Sequence, residues 1–77
     1  MANSGQDYHI NVFWSDEDDA YVADIPDLAQ CSALGVTPEE ALAQLMMAKD
    51  AWLEAATDAG KPIPRPKYRP AIYQAVG

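Results

Sequence analysis

The residues able to do chemistry in this 77-residue chain are mostly carboxylates: twelve Asp and Glu stand beside one histidine, His9, and one cysteine, Cys31. Four of the carboxylates, Asp16, Glu17, Asp18 and Asp19, are consecutive. Such a run could ligate a hard cation, but a calcium loop needs oxygen ligands spread over about twelve residues around a central glycine. Here the run gives way at once to Ala20-Tyr21-Val22-Ala23 and fails that test. His9 has no nucleophile or ligand partner near it in sequence and reads as a residue on the polar side of a strand. A lone cysteine forms neither an intramolecular disulfide nor a cysteine-rich metal site, and Cys31 reads as a small buried hydrophobe. The sequence holds no Gly-rich phosphate loop, serine nucleophile elbow or zinc motif. No catalytic, metal or cofactor-binding residue is assigned. What carboxylates can do without a metal is attract a basic surface, and Asp16, Glu17, Asp18, Asp19, Asp24 and Asp27 are the candidate partner contacts.

The charge balance points the same way. A formal charge of -7 repels phosphate backbones, so direct nucleic-acid binding is not expected, while basic partners are steered in. Four of the five basic residues, Lys61, Arg65, Lys67 and Arg69, fall in the last seventeen positions, which leaves the first sixty more acidic than the total suggests. The longest apolar run is far short of the roughly 18 residues of a membrane span, and positions 1–6 lack the basic-then-apolar pattern of an export signal. The expectation is a soluble cytoplasmic protein without a membrane or cofactor partner.

The elements that must carry these residues follow from spacing. Positions 1–7 read as a flexible start and 8–77 as one domain. Tyr8, Ile10, Val12 and Trp14 alternate with His9, Asn11, Phe13 and Ser15, the pattern of a strand with one apolar face. Adjacent Asp side chains compete for backbone hydrogen bonds and repel one another, so the acidic run predicts a hairpin turn. The chain returns as a strand over 20–25 that Pro26 stops, and a short third strand lies within 31–36. Thr37, Pro38 and Glu40 then spell a helix start, with Thr37 as N-cap, Pro38 where no amide is needed and Glu40 as the far side of a capping box. Leu42, Leu45, Met46, Trp52, Leu53 and Ala56 recur at helical steps until Gly60 and Pro62 end the helix after about 22 residues. Ile10, Val12, Leu42, Leu45 and Leu53 form the expected core between sheet and helix. A Pro-rich connector over 61–70 leads to a last strand over 71–76. The fold class is α+β, in the order β-β-β-α-β.

On these residues the chain resembles the N-terminal domain of HicB-type antitoxins. The resemblance rests on Ala20-Tyr21-Val22-Ala23-Asp24-Ile25-Pro26-Asp27-Leu28, on Cys31, Gly35 and Thr37, on Glu39-Glu40-Ala41-Leu42, and on Gly60-Lys61-Pro62-Ile63-Pro64. It implies a degenerate ribonuclease-H-like arrangement, a small antiparallel sheet with one helix on one face, and a partner: HicA, a small basic messenger-RNA-cleaving toxin that such antitoxins block. An active member of that fold would hold metal ions between carboxylates from separate elements, whereas the run at 16–19 sits on one tip. Two departures stand out. Family members usually carry Pro-Gly before the cysteine, where this chain has Ala29-Gln30, so a more open turn is expected there. Only eleven residues follow Pro66, too few for the helical DNA-binding module of self-repressing antitoxins.

A chain this short buries only about 60% of the surface its unfolded form exposes, so its core is thin and association would help it. Phe13, Tyr21 and Met47 lie off the main apolar stripes and are the expected self-association residues of a homodimer, a state the resemblance also implies. Three function classes stay open: an inhibitor of a basic ribonuclease, a self-associating structural or adaptor protein, and, least favoured, a metal-dependent nuclease.

Overall fold

The computed structural model of the protein describes residues 7–69. Three strands, β1 (Asn11–Ser15), β2 (Ala20–Asp24) and β3 (Ser32–Gly35), precede one helix, α1 (Pro38–Asp58). Of the expected flexible start over 1–7 all but Asp7, and the whole of the expected strand over 71–76, lie outside the described residues. The sheet is antiparallel in the order β1-β2-β3. Its register sets four rows across the three strands, Asn11-Asp24-Ser32, Val12-Ala23-Ala33, Phe13-Val22-Leu34 and Trp14-Tyr21-Gly35.

The acidic run makes the β1–β2 turn with its own side chains. Trp14 Nε1 donates to Asp16 Oδ1 at 2.7 Å and Ser15 Oγ donates to Asp18 Oδ2 at 2.9 Å. Asp19 closes the turn at φ 52°, a left-handed conformation that Asp tolerates better than most residues.

The ends of α1 are built by the residues that signal them. Glu40 N donates to Thr37 Oγ1 at 3.0 Å, and Glu40 Oε1 accepts from Val36 N at 2.7 Å, one residue before the amide that a capping box would engage. At the other end Gly60, at φ 73°, lets Gly60 N donate to Thr57 O and Lys61 N to Ala56 O, the paired bonds of a Schellman motif. The helix packs chiefly on β3 and β2 and touches β1 least.

That placement decides the core, which differs from the expected one. Leu45 is fully buried, and Ile10 and Leu53 are half-buried against the core. Val12 and Leu42 are instead exposed, at 40% and 39%. Val12 shares the helix-facing row with Ala23, but β1 is the strand that the helix covers least. The buried residues of α1 are Ala41, Leu45 and Ala56, with Ala48 and Trp52 half-buried, so the inward face is centred about one residue before Leu42, or roughly 100° around the helix. The rest of the core comes from the β2–β3 connection, where Ile25, Leu28 and Cys31 are buried. Bonds from Ile25 N to Cys31 O, Leu28 N to Ile25 O and Cys31 N to Leu28 O hold this loop closed. The expected opening of the turn at Ala29-Gln30 does not occur, because Gln30 itself takes the left-handed conformation at φ 61°.

Candidate protein-interaction surfaces

Among the described residues no polar or charged side chain is buried in the core, and no three His, Cys, Asp or Glu side chains are grouped so as to hold a metal ion. Four surfaces can be built from the fold.

The first is the hairpin tip, where Asp16, Glu17, Asp18 and Asp19 are all exposed. The second is a strap formed by residues 61–69, which follows the Schellman turn back to the opposite end of the sheet. Tyr8 Oη donates to Pro64 O, and the backbone amides of Lys67 and Tyr68 donate to the Asp27 carboxylate at 3.2 Å. The Tyr68 ring rests on His9, with centroids 4.6 Å apart, and His9 Nε2 bonds Asn11 Oδ1 at 2.7 Å. Burial first, and the Asp27 carboxylate second, hold the Tyr8 phenol above its ordinary pKa. The strap carries Lys61, Arg65, Lys67 and Arg69, so positive charge gathers at the end of the sheet away from the acidic tip.

The third surface is the outer side of α1. Leu42, Met46, Asp50, Glu54 and Asp58 follow one another at four-residue steps and are all exposed, with Met47 beside them at 61%. This ridge is apolar in its first half and acidic in its second, and Asp50 to Asp58 spans about 12 Å at 1.5 Å per residue. Sequence reading missed its acidic half, although the four-residue spacing that continues from Leu42 carries the signal. The fourth is the sheet face turned away from the helix, where Phe13, at 49% exposure, Val22 and Leu34, at 51%, form a band across all three strands.

The expected contact residues are thus dispersed. Asp24 is half-buried on the open sheet face beside Asn11 and Ser32, and Asp27 is committed to the strap. Phe13, Tyr21 and Met47 do not share a surface. Tyr21 lies on the helix side of the sheet, edge-on to Trp14 with centroids 5.1 Å apart, because strand alternation puts it one row away from Phe13. Burial raises the pKa of the Cys31 thiol, Asp24 adding to the effect and Lys49 opposing it, so the thiol is held in its inert form. A groove beside the helix end is lined by Trp52, Ala55, Ala56, Ala59, Lys61 and Pro62. No helix among the described residues is long and apolar enough to cross a membrane.

Comparison with known proteins agrees with the resemblance read from the residues. A family model described as HicB_like antitoxin of bacterial toxin-antitoxin system matches residues 8–75. The UPF0150 protein ssl0259 of Synechocystis sp. is 48% identical over 44 residues, a stretch that covers 57% of this chain and 60% of that relative. No solved structure matches the chain. Three antiparallel strands with one capped helix, inside a family match that runs through nearly all of the chain, mean that the chain belongs to the HicB-like antitoxin family of bacterial toxin-antitoxin systems.

Proposed function

We propose that the chain is the non-catalytic, protein-binding half of a toxin-antitoxin pair, and that it blocks a small basic messenger-RNA-cleaving toxin of the HicA type. The observation that carries this reading is the outer ridge of α1, where exposed Leu42, Met46 and Met47 adjoin Asp50, Glu54 and Asp58. A basic toxin would seat apolar residues on the first group and its cations on the second, covering its RNA path or its catalytic residue. The net charge of -7, to which the hairpin tip contributes, would speed the encounter.

Co-expression with a basic HicA-type toxin, followed by affinity capture at modest salt and an RNA-cleavage assay, tests the reading. A stoichiometric complex without cleavage is expected. The triple variant Asp50→Lys, Glu54→Lys, Asp58→Lys changes only exposed positions and should weaken capture at least about tenfold. Full inhibition by that variant, or no complex with the unaltered chain, would overturn it.

A second reading, homodimerisation, is favoured by exposed Phe13 and Leu34 on either side of half-buried Val22. It uses a different surface and is compatible with the first.

A further inference from the structure

The open sheet face is ordered along the strands by charge. Its centre is the apolar band of Phe13, Val22 and Leu34. At one end stands the acidic tip, joined to this face through the bond from Ser15 Oγ to Asp18. At the other end Tyr68 lies on His9, which is tied to Asn11, a residue in register with Asp24 and Ser32. Lys67 and Arg69 precede and follow Tyr68 in the strap, and both are exposed. Asp24 is the carboxylate of the face at that end, and the carboxylate of Asp27 is turned to the strap amides.

We propose that this face docks on the same face of a second copy, with the two chains antiparallel across a twofold axis, so that each acidic tip meets the other chain's Lys67 end. The inference rests on the self-association proposed above and adds the face and the orientation. A uniformly basic partner laid along the face would meet Lys67 at one end, whereas a reversed copy matches both ends. The twofold repeats the favourable contact without a new surface, as an isologous interface requires. Area argues that the ends take part. Three strands at about 4.8 Å spacing and five residues at about 3.4 Å cover only about 250 Å². A standard interface uses about 800 Å² per partner. Each chain's overall charge of -7 works against association, so the dimer is weak and concentration-dependent.

Sedimentation of the purified chain over a concentration series, at near-physiological ionic strength, is the first measurement. A reversible dimer is expected; a species of 8.4 kDa at every concentration up to high micromolar overturns both this inference and self-association. Phe13→Ser and Leu34→Ser, both at half-exposed positions, should each weaken the dimer at least about tenfold, while Met47→Ser on the outer helix leaves it unchanged. Circular dichroism and thermal unfolding confirm that the variants fold, and either serine variant suffices if the other does not. A dimer indifferent to the folded variants would keep self-association and overturn the face. Orientation is read by carbodiimide cross-linking of mixed labelled and unlabelled copies, which should join Lys67 of one chain to a carboxylate among 16–19 of the other. Intermolecular links lacking that pair, or none at all, would overturn the antiparallel arrangement.

Discussion

Gln30 occupies a conformation that a residue with a side chain adopts at a cost, φ 61°, because the loop bonds from Ile25 to Cys31 leave no wider path. A left-handed residue other than glycine loses roughly 1–2 kcal/mol, and glycine returns part of this through its freer unfolded chain. Gln30→Gly should therefore raise stability by about 0.5 kcal/mol, seen as a thermal midpoint about 2–4 °C higher. A lower midpoint would mean that the Gln30 side chain contributes more than its backbone costs. Gly35 presents the opposite case. A Cβ built there would meet Ala41 N at 2.3 Å and Ala41 Cα at 2.8 Å, and both are backbone atoms of the first helical turn. Gly35→Ala must push the helix off β3, at a cost of at least about 2–3 kcal/mol. Urea denaturation measures the loss, and a variant as stable as the parent would contradict the close approach.

The helix shows how local chemistry and packing divide their work. Thr37 and Gly60 set its ends, but Leu42 and Leu45, equivalent as apolar residues, end up on different sides of the buried face. Leu45 is fully buried and Leu42 is 39% exposed. Leu45→Ala should cost about 2–5 kcal/mol through the lost contacts and the cavity left behind, whereas Leu42→Ala should cost less than about 1 kcal/mol. Denaturant unfolding of the two variants side by side checks the helix register. Equal losses would place the inward face between them.

Across the whole molecule, the strap joins the end of the helix to the start of the chain through Tyr8, His9 and Asp27. Asp27→Ala removes the acceptor for two amides and should leave the sheet and helix folded while the strap loosens. Hydrogen exchange at Lys67 and Tyr68 should then quicken about tenfold, the equivalent of roughly 1.4 kcal/mol of local stability. Unchanged exchange would mean that Tyr8 and His9 hold the strap without it. The raised pKa of Tyr8 gives this contact a pH dependence. A phenol kept neutral by folding contributes stability that is complete below its unfolded pKa and lost as pH rises through the folded one. Strap release is therefore expected only above about pH 10, followed by tyrosinate absorbance.

The features legible without a structure act over a few residues. Strand alternation, the acidic turn, the Thr37 cap, the Gly60 stop and the separation of acidic and basic segments are written in neighbouring side chains, and so are the motifs that carry the family resemblance. Tertiary structure decided what depends on where one element comes to rest on another. Bare of a side chain, Gly35 lets α1 sit close over β3, which leaves β1 under thin cover and Val12 and Leu42 partly in water. Small Ala41 is buried in their place, and the loop residues Ile25, Leu28 and Cys31 complete the core although no periodicity marks them. The open band on the sheet and the binding of Asp27 to the strap join positions far apart in sequence. Both exist only once loop closure has brought those segments together, so no local pattern could announce them.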